Sequence, residues 1–333
     1  MSHQGKARIT GIGSYLPEKV LTNKDLEEIV DTTDDWIVSR TGIKERRIAA
    51  SNEYTSDMGA AAARKALHSA KLTVDDIDAI IVATMTPDYT SSSVAALIAN
   101  LLGCEKKIAA FDLQAACSGF LYALSVAKAY VDSGMYQRVL VVASEKMSAF
   151  VDYEDRSTCV LFGDGAAAVV VEGKGKGLGI DSLSLGADGS LAELLFIPAG
   201  GVRNLPTVGT ISGRLHYFKM DGKEVFKHAV RRMSAAAKEC LEKAGLVDSQ
   251  VEWLVPHQAN MRIMDAIAKG FSIPYEKMYK TVHKYGNTSA SSIAIALDEL
   301  VCEHQITTGQ HILLVAFGAG LTWGAIILTQ REI

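Results

Sequence analysis

Apolar residues in this chain gather in short unbroken runs. Residues 77–84 (IDAIIVAT), 108–113 (IAAFDL) and 139–143 (VLVVA) each read as a strand buried on both faces. Residues 8–16 (RITGIGSYL) read as a shorter strand that leaves through Pro17, after which Asn23 is placed as a helix cap, with Glu27 and Glu28 following. Helical patterning covers 60–70, 94–102 and 117–131, and Gly134 closes the last of these. Residues 163–171 (GDGAAAVVV) combine a glycine turn with a strand. Buried strands alternating with helices specify an α/β fold with largely parallel sheets.

The second half repeats the plan. Residues 251–256 (VEWLVP) stand for IDAIIVAT, a helix over 287–301 for the one starting at Cys117, 311–316 (HILLVA) for VLVVA, and 323–329 (WGAIILT) for GDGAAAVVV. Internal duplication is the simplest reading, with halves at 1–175 and 176–333. The Gly, Ser and Pro-rich stretch 173–213 is expected to hold the boundary and a mobile loop.

Composition narrows the function. The chain has 333 residues, 48% of them apolar, enough for one large domain or two fused halves. A net charge of −4 carries no basic excess to suggest nucleic acid. The polar start (Met1 to Arg8) and the lack of a long apolar stretch point to a cytoplasmic protein with no membrane insertion. Five dispersed cysteines (Cys104, Cys117, Cys159, Cys240, Cys302) argue for reduced thiols, and scattered histidines give no metal site. Residues 11–16 (GIGSYL) lack the third glycine of a dinucleotide fingerprint, and 173–179 (GKGKGLG) lack its strand-to-helix setting, so no nucleotide cofactor is expected.

Three places carry candidate chemistry. Cys117 lies between a buried strand and an apolar helix, where unpaired N–H groups and the helix dipole favour a thiolate able to attack a thioester. The alternative is a small buried hydrophobe. His257, in PHQAN, follows a buried strand; it is a catalytic group or a hydrogen-bonded structural histidine. Asn287, in YGNTSA, stands at the start of the helix that mirrors the Cys117 helix. Taken alone it reads as a cap. Duplication would bring Cys117 and Asn287 to equivalent helix starts near a pseudo-twofold axis, with His257 on a neighbouring strand end.

ACSGF, PHQAN and GNTSA, in this order, resemble the active-site motifs of β-ketoacyl-acyl-carrier-protein synthase III, a thiolase-fold condensing family. Residues 34–47 (DDWIVSRTGIKERR), 162–167 (FGDGAA) and 317–324 (FGAGLTWG) fit as well, so the resemblance spans essentially the whole chain. It implies a thiolase-like, five-layer αβαβα arrangement of duplicated halves. It implies that Cys117 is acylated by an acyl-CoA, and that His257 and Asn287 hydrogen-bond the thioester oxygen of malonyl-acyl carrier protein as CO2 leaves. The N–H groups of Cys117 and Ala319 would form the oxyanion hole; many relatives carry glycine where Ala319 stands. Trp36 and Arg156 would flank the CoA adenine, Arg40 would meet a phosphate, and Gly222 and Asn260 would line the pantetheine channel. Without the resemblance, Trp36 reads as a packing residue and Arg156 as a solvated charge. Lys227, Arg262 and Lys269 would dock the carrier protein; the last two, seven apart, share one face of the helix after His257. A homodimer is implied, and no cofactor beyond the CoA thioester substrate.

One departure stands out. Relatives restricted to short starters often carry a bulky aromatic near Ser92, reaching the partner's acyl pocket, whereas residues 90–93 (TSSS) are small here. A roomier pocket is expected. Competing readings are a type III polyketide or alkylquinolone-type synthase with a CoA-bound extender, a Cys-His-Asn hydrolase, and a non-catalytic binding protein.

Overall fold

The computed structural model describes residues 6–332. Nine strands form one mixed sheet: β1 (Arg8–Tyr15), β2 (Ala79–Ala83), β3 (Ala109–Leu113), β4 (Arg138–Glu145), β5 (Gly165–Glu172), β6 (Gly177–Ala187), β7 (Val251–Pro256), β8 (His311–Gly318) and β9 (Thr322–Arg331). Their order across the sheet is β7-β8-β9-β6-β1-β5-β4-β2-β3. Strands β1 to β5 make one block and β6 to β9 the other. Within the sheet the blocks are joined where Arg8 and Ile9 pair with Gly179 and Leu178. Outward from that seam, the order β1-β5-β4-β2 is matched by β6-β9-β8-β7.

Four long helices cover the sheet: α1 (Thr55–Ala70), α2 (Gly119–Ser133), α3 (Gly222–Ala244) and α4 (Ser291–Glu303). Alternate side chains of each strand enter different cores. In β4, Val139, Val141 and Ala143 join the central core with α2, α4 and the inner face of the second block. Leu140 and Val142 face α1 instead. In β8, Ile312, Leu314 and Ala316 belong to the central core, while Leu313, Val315 and Phe317 face α3. This double burial explains the unbroken apolar runs, and the layers follow the αβαβα order. The glycines of GIGSYL serve this packing: a Cβ on Gly11 would lie 2.4 Å from the Ala66 carbonyl oxygen, and one on Gly13 2.4 Å from the Lys65 Cβ. They let β1 lie against α1.

Four sequence expectations need correction. The sheet is not largely parallel: β2–β3, β2–β4 and β7–β8 are parallel, but the other five pairings are antiparallel. A parallel crossover needs a dozen or more residues, usually with a helix. The three residues joining β8 to β9 permit only a reversal, whereas the 19 residues joining β4 to β5 are long enough for a crossover and still return antiparallel. Second, the 173–213 stretch, to which the sequence reading assigned no strand, holds β6 at Gly177–Ala187. Its alternate buried positions include Ser182 and Ser184, and these hydroxyls hide the strand pattern. The Ser182 Oγ is satisfied by donating to the Cys240 carbonyl at 2.8 Å. Third, the helix near residue 23 is capped by Thr22, whose Oγ1 accepts from the Asp25 N–H; Asn23 is buried and donates to the Ile43 carbonyl. Fourth, α4 starts at Ser291, four residues after Asn287. The sequence reading assigned no element to α3, an amphipathic helix capped by Asp221.

Candidate active site

Cys117 sits in a 3-10 turn, Ala116–Ser118, between β3 and α2. Ala116 has φ +46°, a left-handed conformation that marks a backbone held in place by its surroundings. His257 directly follows β7, its N–H donating to the Val315 carbonyl at 2.8 Å. Ala319 directly follows β8. Because β7 and β8 are parallel, His257 and Ala319 lie at the same sheet edge.

Asn287 is placed by backbone pairing with Phe162: the Asn287 N–H donates to the Leu161 carbonyl (2.8 Å) and the Gly163 N–H to the Asn287 carbonyl (3.1 Å). Buried Gln258 ties the preceding segment to β7. Its Oε1 accepts from the Thr281 and Val282 N–H groups, and its Nε2 donates to the Pro256 carbonyl. The Asn287 Oδ1 accepts from the Ser289 N–H at 2.8 Å. Its NH2 group is thereby the end available as a donor.

These residues converge on one cavity of about 730 Å³. Cys117, His257 and Asn287 are at most 7% exposed and form its floor together with Ala319. Trp36, Gly222 and Asn260 line it higher up, and the exposed Arg40, Lys227 and Arg262 stand at its mouth. Asn260 also caps the helix Met261–Ala268, accepting from the Arg262 N–H. Arg156 and Arg40 each place a guanidinium carbon 4.9 Å from the Trp36 ring centroid. The Arg156 Nη1 also donates to the Asp31 carbonyl at 2.9 Å. Lys269 and Ser92 are exposed and lie outside this cavity.

Burial dominates the electrostatics. It pushes the Cys117 thiol up to about 12, assisted by the Glu145 carboxylate and opposed by the hydrogen bond to Ser289. This reverses the expectation of a populated thiolate. A helix N-terminus favours an anion by about 2 kcal/mol at most, and a rise from 9.0 to about 12 corresponds to about 4 kcal/mol. Burial also pushes His257 down to about 3, so its imidazole is neutral at physiological pH. The Glu145 carboxyl, on the last residue of β4, is pushed up to about 7.

Sequence reasoning missed four residues that hold this floor. The Ser292 Oγ is 2.7 Å from the His257 Nδ1. The Ser289 Oγ lies 3.5 Å from the Cys117 Sγ and 3.0 Å from the Glu145 Oε1. Gly318 lies against the Cys117 backbone nitrogen. A carboxylate ending the apolar run VLVVASE was the one available signal; the serines read only as a helix start. Among the described residues no cluster of His, Cys, Asp or Glu could hold a metal ion, and no helix is long and apolar enough to cross a membrane.

An α/β scaffold with a buried thiol, an imidazole and a carboxamide around one cavity belongs to the acyltransferase-type condensing enzymes. Residues 111–189 match the family described as 3-oxoacyl-acyl-carrier-protein (ACP) synthase III, and residues 241–330 match its C-terminal part. The chain is 58% identical over 328 residues to the β-ketoacyl-acyl-carrier-protein synthase III of Chlamydia caviae, covering 98% of each. It is 49% identical to that of Caldanaerobacter subterraneus, covering 97% of each. The crystal structure of the Aquifex aeolicus 3-oxoacyl-acyl-carrier-protein synthase III superposes with a TM-score of 0.89 at 48% identity, over 97% of this chain and 99% of that one. The Thermus thermophilus enzyme gives 0.89 at 45% identity, over 98% and 100%. This chain belongs to the 3-oxoacyl-acyl-carrier-protein synthase III family.

Proposed function

We propose that the chain condenses an acyl-CoA starter with malonyl-acyl carrier protein to give 3-oxoacyl-acyl carrier protein, the step that initiates fatty acid synthesis, through an acyl-Cys117 intermediate. The observation that supports this reading is the convergence of Cys117, His257 and Asn287 on one buried floor. The Cys117 sulfur attacks the acyl-CoA carbonyl, and CoA leaves. The N–H groups of Cys117 and Ala319 meet the oxyanion. Ala319 needs no glycine, since it is not among the residues with positive φ.

Malonyl thioester then enters and loses CO2, which puts negative charge on its thioester oxygen. The Asn287 NH2 and the His257 Nε2–H are the two preplaced donors for that charge. A neutral imidazole donates from Nε2 only if Nδ1 is unprotonated. In this scheme the Ser292 hydroxyl, 2.7 Å away, donates to His257 Nδ1 and holds the ring proton on Nε2. The carbanion attacks acyl-Cys117 and releases the product. Donors alone meet the developing charge, so this chemistry calls for no cofactor.

CoA binding uses Trp36, Arg40, Arg156, Gly222 and Asn260. The Arg156 guanidinium rests directly on Trp36 and leaves no space for a base between them. Adenine binding therefore lifts Arg156 away. Lys227 and Arg262 at the mouth, with Lys269 beyond the same helix, form the basic rim that meets an acidic carrier. Edge strand β3 has one unpaired side, which a second subunit would cover in a homodimer. Ser92 then belongs to the partner's acyl pocket, and its small size suits starters longer than acetyl. Five free cysteines fit a reducing cytoplasm. The two sheet blocks are halves of a duplication divided at 175/176.

Intact-mass measurement after exposure to a panel of acyl-CoAs tests the reading. Acylation at Cys117, discharged only by malonyl-acyl carrier protein, is expected. Rapid hydrolysis of the acyl group without extender would replace it with a hydrolase.

A further inference from the structure

Glu145 is a buried carboxyl without a role in the scheme above. It ends β4 beneath the cavity floor and is fully buried. Its partners are four neutral donors: the Thr84 Oγ1 (3.1 Å), the Thr86 Oγ1 (2.7 Å), the Met85 N–H (3.1 Å) and the Ser289 Oγ (3.0 Å). Lys146, next in the chain, turns its ammonium to the carbonyls of Ala50 and Glu53. Asp88, on the loop after β2, is taken up by the Ser56 N–H. His257 is held by Ser292. The titratable group that reaches Glu145 through a hydrogen bond is thus Cys117, by way of Ser289: the thiol donates to the Ser289 Oγ, and the Ser289 hydroxyl donates to the Glu145 Oε1.

We propose that Glu145 takes the thiol proton of Cys117 through Ser289 and holds it for the lifetime of the acyl-enzyme. This inference rests on the acyl-Cys117 reading. A hydroxyl has one donor and two acceptor positions, so Ser289 can pass a proton by reversing both of its hydrogen bonds. In the first half-reaction the S–H bond breaks and an O–H bond forms on Glu145. The thiolate then bonds to the acyl carbon, and CoA leaves as a thiolate that is protonated by solvent. In the second half-reaction the C–S bond to Cys117 breaks as the new C–C bond forms. The expelled Cys117 thiolate recovers its proton from Glu145 through Ser289. Protons balance over the cycle, with one taken from solvent by CoA.

This arrangement answers the electrostatic problem of the site. A thiolate made by release of its proton to water would leave a second anion beside a buried carboxylate. Transfer within the pair never places more than one negative charge on the floor. Ser289 touches the reacting sulfur and is the catalytic member. Glu145 is a positioning residue that acts through it.

Infrared difference spectroscopy of acylated minus free wild-type enzyme, without extender and above about pH 7 where Glu145 of the free enzyme is ionised, tests the idea directly. One carboxylic-acid C=O band that shifts in D2O is expected on acylation, and it should be missing in Glu145→Gln enzyme that still acylates. An acyl-enzyme formed without this band overturns the proposal and leaves the function reading intact. No acylation of Cys117 by any acyl-CoA overturns both.

Single-turnover acylation against pH gives an independent readout. The wild-type rate should level off above about pH 8, once Glu145 is ionised. Glu145→Gln and Ser289→Ala should keep rising by about tenfold per pH unit, because the thiol must then ionise to solvent. Glu145→Asp should recover part of the plateau. Parallel profiles, lowered equally at all pH values, would mean a purely structural role.

Discussion

A Cβ on Gly318 would stand 2.6 Å from the backbone nitrogen of Cys117, so β8 and the nucleophile turn meet backbone to backbone. Both proposed oxyanion donors flank this contact. Gly318→Ala should therefore displace the Cys117 turn. Overpacking of this kind destabilises by about 1–3 kcal/mol, and a misplaced oxyanion donor lowers turnover by about a hundredfold. Circular dichroism melting and acylation kinetics on the same sample check this. Normal acylation in a folded variant would remove the backbone of Cys117 from the mechanism.

Ser292→Ala deletes the hydroxyl 2.7 Å from His257 Nδ1. The imidazole then loses the partner that keeps its proton on Nε2. Decarboxylation of malonyl thioester should fall by about tenfold or more, near 1.4 kcal/mol, while acylation of Cys117 changes little. Separate assays of the two half-reactions distinguish the steps.

The buried Glu145 carboxyl makes stability depend on pH. Its folded value of about 7 is above the unfolded 4.5, so it binds more protons in the folded state between these values. Its contribution is fully present below about pH 4.5 and is lost as pH rises through about 7. The melting temperature of Glu145→Gln relative to wild type should therefore increase from pH 5 to pH 8. A constant difference across that range would mean that Glu145 titrates alike in both states. His257 works in the opposite sense in both proteins, since its depressed value destabilises the fold as pH falls below 6.5.

Trp36→Ala removes the platform on which Arg156 and Arg40 rest. Loss of a stacking partner costs about 1–3 kcal/mol per base. The KM for acyl-CoA should rise by about tenfold or more, with the single-turnover rate at saturation preserved. An unchanged KM would place the adenine elsewhere.

Strands β2, β4, β7 and β8 were legible because both faces are buried, which leaves an unbroken apolar run. Strand β6 was not, because Ser182 and Ser184 face α3 and interrupt its pattern while α3 itself satisfies the Ser182 hydroxyl. Strand direction was misread because an apolar run carries no direction: the three-residue turn between β8 and β9 forces a reversal, while the 19-residue β4–β5 connection would allow either sense. Cys117, His257 and Asn287 were visible because each follows a strand or precedes a helix within a recognisable motif. Glu145 and Ser289 were not, since neither signals anything until the fold brings positions 144 residues apart to 3.0 Å.

Separation along the chain has a temporal side during synthesis on the ribosome. Cys117 precedes Ser289 by 172 residues. At about 5–20 residues per second, the cysteine is polymerised roughly 9–34 s before the serine that completes its proton path. Through that interval the nascent thiol lacks both its relay and its dry enclosure. Reaction with cellular thioesters must wait for the C-terminal half, so the catalyst is switched on by completion of its own translation.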